Sequence, residues 1–123
     1  MNKFVKVVDK DELINEFITS INGILDLPNR ELQLLMEFIK LDMQYDKKSP
    51  IPKNIANTAN RKYIMNKYGI TRDNLSTYIR RLRERGYLIK KDPDELFVNP
   101  CLIPIVIKDR VQVTVILKLK DNV

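Results

Sequence analysis

The tightest constraint on what this chain can fold into is the tripeptide Gly69-Ile70-Thr71, which leaves room for nothing longer than a turn between two segments of helical periodicity. The whole sequence has three glycines, and Gly69 and Gly86 each close one of these segments. Upstream, Ile55, Ala59, Tyr63, Ile64 and Tyr68 recur at helical spacing, which predicts a helix over 54–68 whose many Asn residues weaken its start. Gly69 suits the left-handed position that ends such a helix, Ile70 can pack in the turn, and Thr71 is a capping residue for the next helix. That helix, predicted over 72–85, directs Leu75, Ile79 and Leu82 to a core before Gly86 stops it. Two short strand-like runs follow, 87–90 and 96–98. The residues between them, Lys91-Asp92-Pro93-Asp94-Glu95, favour a turn, so a β-hairpin is expected.

The flanks are read in the same way. Phe4-Val5-Lys6-Val7-Val8 suggests a strand or extended arm, and Asp9 with Glu12 forms a capping-box signature for a helix starting near Lys10. Leu13, Ile14, Phe17, Ile18 and Ile21, extended by Ile24, give that helix its apolar face. A second helix is predicted over 28–44, with Pro28 in its first turn and Leu32, Leu35, Met36, Ile39 and Met43 as its buried stripe. After Asn99-Pro100, Ile105-Val106-Ile107 and the alternating run 111–120 predict further strands that turn around 108–110. The expected architecture is a single domain over 1–123: an arm and helix (1–27), a central core (28–100) and a β extension (101–123). Its fold class is mainly α with a β-hairpin (α+β).

Composition narrows the chemistry. The sequence contains no His and one Cys, Cys101, which removes imidazole acid–base catalysis, Ser-His-Asp triads, Cys/His zinc sites and any disulfide within the sequence. The acids Asp9, Asp11 and Glu12 read as cap chemistry and Asp42 with Asp46 as a helix end, neither group offering a metal cage. Cys101, between Pro100 and Leu102, is expected to be a buried small hydrophobe. No cofactor motif is present, and an enzyme is not expected. Apolar runs fall far short of a membrane span, so a soluble, cytoplasmic protein is expected.

The +6 net charge is unevenly spread. Residues 1–46 carry 5 basic and 9 acidic side chains, residues 47–91 carry 13 and 2, and residues 92–123 carry 4 and 5. The middle segment, at +11, therefore holds the positive field, with Asp73 and Glu84 as its only acids. Such an excess is suited to an external polyanion.

This basic segment coincides with the order helix, helix, short turn, helix, β-hairpin. The stretch GITRDNLSTYIRRLRERGYLIKKDPDELFVNP resembles the recognition helix and wing of winged helix-turn-helix DNA-binding proteins of the bacterial or phage regulator and replication-initiator type. The resemblance covers about residues 29–100. It rests on the Gly69-Ile70-Thr71 turn, the Leu75, Ile79, Leu82 spacing and the passage through Gly86-Tyr87-Leu88-Ile89 into the wing. It implies a winged-helix core carrying two additions, the N-terminal helix and the C-terminal β-strands.

On a helical wheel, Asp73, Thr77, Arg80, Arg81 and Glu84 lie opposite the apolar face of helix 72–85, with Asn74 on the flank. Asn74, Thr77 and Arg81 are the expected base contacts. Arg80, Arg81, Arg83 and Arg85, with Lys90 and Lys91 at the base of the wing, are expected mainly to serve phosphates, and Arg72 is a further expected nucleic-acid contact. Tyr63, Tyr68 and Tyr78 are expected to be core aromatics. The expected function is a non-enzymatic, double-stranded-DNA-binding transcriptional regulator or replication-associated factor, homo-oligomeric or joined to a protein partner through the N-terminal helix or the C-terminal strand. The acidic wing tip of Asp92, Asp94 and Glu95 departs from the DNA-binding pattern. It favours the rival expectation, a structural or interaction protein of a bacteriophage particle or other assembly, which would place the chain in the virion.

Overall fold

Helix α1, Leu13–Leu25, follows a single 3-10 turn at Lys10–Glu12 and ends where Asp26 adopts a left-handed conformation, φ 57°. The computed structural model describes residues 3–121. The capping box is not formed: the Asp9 side chain makes no cap hydrogen bond, because the 3-10 turn already joins the Glu12 amide to the Asp9 carbonyl at 3.0 Å. At the other end, Asn22 clamps the turn into the next helix. Its side chain donates to the Leu27 carbonyl at 3.2 Å and accepts from the Leu27 amide at 3.1 Å.

Helix α2, Asn29–Met43, is the centre of the molecule, with α1, α3, α4 and the hairpin all packed on it. Its buried surface is accordingly wider than a single stripe. Leu34 and Phe38 are as fully buried as Leu35 and Ile39, whereas Met43, expected inside, is 47% exposed. Three carboxylates are buried on the same helix, Glu31, Glu37 and Asp42, and each meets a cation from the basic segment. Arg81 Nη1 lies 3.2 Å from Glu31, Lys67 Nζ 2.5 Å from Glu37, and Lys53 Nζ 2.9 Å from Asp42. Buried charge is tolerated only when paired in this way. Asp42 is therefore more than a helix end.

Helix α3, Thr58–Tyr68, starts later than its periodicity predicts, since Asn57 caps it by accepting from the Asn60 amide at 2.9 Å. Ile55 and Ala56 are buried ahead of it, in a turn rather than a helix. Gly69 has φ 62°, and the Ile70 amide reaches back to the Met65 carbonyl at 3.2 Å. Thr71 then caps α4, Arg72–Glu84, by accepting from the Asn74 amide at 3.2 Å. Leu75, Ile79 and Leu82 are buried as expected.

Strands β1, Leu88–Asp92, and β2, Glu95–Val98, form an antiparallel hairpin in the register Leu88↔Val98, Ile89↔Phe97 and Lys90↔Leu96, with a bulge between Lys90 and Asp92. Leu96 and Val98 turn their main-chain groups to the outer edge of β2, and that edge is occupied. The Leu96 amide donates to the Lys53 carbonyl at 2.8 Å, its carbonyl accepts from Ile55 at 3.1 Å, and the Val98 amide donates to Asp42 Oδ2 at 2.9 Å. The architecture is thus mixed α and β: four helices and one two-stranded antiparallel hairpin among the described residues.

The predicted strands outside this core do not form. Residues 3–9 and 103–120 form neither helix nor strand. The turn at 108–110 is present, with Lys108 at φ 60° and Ile107 and Arg110 exchanging main-chain hydrogen bonds of 2.9 and 3.2 Å, but the flanking residues do not continue the ladder. Alternation prepares a strand; only a second strand supplies its hydrogen bonds. Cys101 is exposed, contrary to expectation, because the 3-10 turn Pro100–Leu102 buries Leu102 instead.

Glu37 gives a pH-dependent consequence. Burial pushes its carboxyl upward, but hydrogen bonds from Lys67 and Tyr68 (2.9 Å) and the charges of Lys67 and Lys40 outweigh burial and hold it below its ordinary 4.5. A depressed carboxylate stabilises the fold above its ordinary range, and this contribution is lost as pH falls through the lowered value. Urea midpoints measured from pH 7 to pH 3 should fall less steeply for Glu37→Gln than for the parent, from a lower starting stability at pH 7.

Candidate nucleic-acid interface

Helix α4 fixes the geometry of the candidate surface, because burial of Leu75, Ile79 and Leu82 sets its rotation. At 100° per residue the centre of the outward face carries Asp73, Thr77, Arg80 and Glu84. This centre is not strongly basic. Arg80 Nε lies 3.7 Å from Glu84, and the Thr77 hydroxyl donates to the Asp73 carbonyl at 3.0 Å.

The flank bearing Asn74, Arg81 and Arg85 faces the junction of α1 and α2. Arg81 pairs with buried Glu31, while Arg85 donates through Nη2 to the Leu25 carbonyl and to Tyr87 Oη at 3.3 Å. Tyr87 Oη donates to the same carbonyl at 2.7 Å. These two arginines therefore act as ties from the end of α4 to the rest of the core. An open groove of ≈ 570 Å³ lies beside them, lined in part by Asp26, Glu31 and Glu84 as well as Arg81 and Arg85. Its mixed charge makes it a poor seat for a phosphate.

The opposite flank bears Arg72, Ser76 and Arg83 and turns toward α3, where Arg61 holds the two helices together. Arg61 Nε donates to the Ala56 carbonyl at 2.8 Å and Nη1 to Ser76 Oγ at 3.3 Å. Arg72 and Arg83 are exposed and have no carboxylate partner among the described residues. The same is true of Lys90 and Lys91 on β1 and of Lys62 on α3, the last a residue that sequence reasoning passed over. Its signal was available: Lys62 lies opposite Ile64 on the α3 wheel. Asn74 is exposed with its side-chain amide free of hydrogen bonds among the described residues.

The structure thus divides the nine expected contact residues. Arg72, Asn74, Arg83, Lys90 and Lys91 are available to a ligand. Arg80 and Thr77 are exposed or half-buried with a local partner, and Arg81 and Arg85 have structural partners. Of the tyrosines, Tyr68 and Tyr78 pack on the core, but Tyr63 is 48% exposed beside Lys67, whose ammonium lies 5.7 Å from its ring. Among the described residues no helix is long and apolar enough to cross a membrane. No known family, curated protein or solved structure matches this chain.

Proposed function

We propose that this chain is a non-enzymatic DNA-binding protein, a transcriptional regulator or replication-associated factor, that docks α4 and the hairpin on duplex DNA in the manner of a winged helix. The observation that carries the reading is a residue of charge. After the carboxylates of α2 have each taken one cation, Arg72, Arg83, Lys90, Lys91 and Lys62 remain exposed without carboxylate partners among the described residues, on α4, β1 and α3. Cations of this kind contact phosphates, and binding then releases counterions.

The outward centre of α4, with Asp73 and Glu84, favours docking on the backbone over dense base reading. Retardation of random duplex DNA across a salt series tests the proposal. About four phosphate contacts give a log–log slope of roughly −3.6. Binding absent at low salt, or a flat salt response, would refute it.

The acidic hairpin turn of Asp92, Asp94 and Glu95 supports a second reading, an interaction protein in a phage particle or similar assembly that uses this face for a protein partner. Gel filtration with and without duplex separates the two: a shift with DNA favours the first, and large oligomers indifferent to DNA favour the second.

A further inference from the structure

We propose that residues 111–119 pair antiparallel with the same residues of a second copy, about a two-fold axis through Val115. The segment forms neither helix nor strand, lies outside the core beyond half-buried Val111, and alternates Val111, Val113, Val115, Leu117 and Leu119 against Gln112, Thr114, Ile116 and Lys118. Leu117 is 80% exposed, and Val113, Val115, Ile116 and Leu119 are also open to water.

An alternating strand is self-complementary under a two-fold axis, because residues of equal parity meet. The axis at Val115 sets Val111 opposite Leu119, Val113 opposite Leu117, Gln112 opposite Lys118 and Thr114 opposite Ile116. On the odd-numbered face apolar side chains meet apolar ones, and no two like charges face each other within the segment. The Ile107–Arg110 bridge is a first rung from which Ile105-Val106-Ile107 would pair with the segment on assembly, each copy then adding a hairpin to a four-stranded sheet. Two strands alone would be marginal.

The area also suits a second copy. The eight exposed Ile, Val and Leu residues between 105 and 119 offer on the order of 800 Å² per copy at about 100 Å² each, the amount each partner buries in a standard interface. A lipid surface is a poorer occupant, since the segment has the period of a strand and a single cation, Lys118, where an interfacial helix would be richly basic. The outer edge of β1 is a poorer one too, because Lys90 and Lys91 guard it against strand addition. This inference stands independently of DNA binding.

Sedimentation equilibrium of the full chain tests it. The expected result is a species of twice the 14.5 kDa chain mass that dissociates on dilution. Val115→Lys should weaken it at least 100-fold without shifting the melting temperature of the core, whereas Gln112→Ser should leave it intact. In a Cys101→Ser background, Val115→Cys should oxidise to a covalent dimer, since residues on the axis face each other at disulfide distance, and Val111→Cys should not. A monomer at every concentration, a dimer indifferent to Val115→Lys, or equal cross-linking from both cysteine variants would each overturn the proposal, as would association with vesicles or a foreign protein in place of self-association.

Discussion

Asp42→Ala is expected to destabilise the protein by about 2–4 kcal/mol, read as a lowered urea midpoint with an unchanged slope. The Asp42 carboxylate is 8% exposed and satisfies two donors at once, the Val98 amide through Oδ2 and the Lys53 ammonium through Oδ1, both at 2.9 Å. Truncation strands a buried main-chain N–H with no other acceptor and leaves an ammonium without its counter-ion. The first loss alone costs about 1–3 kcal/mol. The second is smaller than for a fully buried pair, because Lys53 is 24% exposed and water can reach it. Asp42→Asn, which keeps one oxygen, should recover part of the loss. A change below about 0.5 kcal/mol for Asp42→Ala would mean that α2 and the hairpin are not joined through this side chain.

The second large effect concerns the proposed DNA binding. Replacing Arg72, Arg83, Lys90 and Lys91 together by Ala should remove most of the salt dependence, about 3.6 in log–log slope, and lower duplex affinity by roughly 10³-fold near 0.1 M salt, since each phosphate contact contributes about 0.9 of slope. All four side chains are exposed, so the melting temperature should hardly move. Arg81→Ala should behave in the opposite way. It leaves the buried Glu31 carboxylate without its cation and should cost about 1–3 kcal/mol of stability while changing the salt slope by less than one. If Arg81→Ala alone removes binding from a stably folded protein, the division of arginines drawn from the structure is wrong.

That division marks the limit of what the sequence discloses. Gly69 and Thr71 were legible because their roles are local: a left-handed turn needs glycine, and an N-cap oxygen needs the amide three residues on. The rotation of α4 was legible for a similar reason, since Leu75, Ile79 and Leu82 fix one face without reference to any other helix. Arg81 and Arg83, by contrast, are indistinguishable to periodicity. One is tied down by Glu31, 50 residues earlier in the chain, and the other is not. Glu31, Glu37 and Asp42 look like ordinary surface acids on α2 until three other elements close around that helix. The strand pattern at 111–119 was read correctly as a pattern but not as an element, because alternation specifies a face and says nothing about a partner.

The bond from Asp42 to Val98 also bears on how this molecule opens. A lone two-stranded hairpin would fray quickly in water. Here one of its amides is gripped by a buried side chain of the central helix, so releasing the hairpin means disturbing the element on which every other helix rests. The Val98 proton should therefore exchange with solvent as slowly as the amides of Phe38 and Ile39, and the hairpin should open in the same step as α2. A projection of this kind borrows its rigidity from the core, and under the proposed docking it would meet DNA with its shape already set.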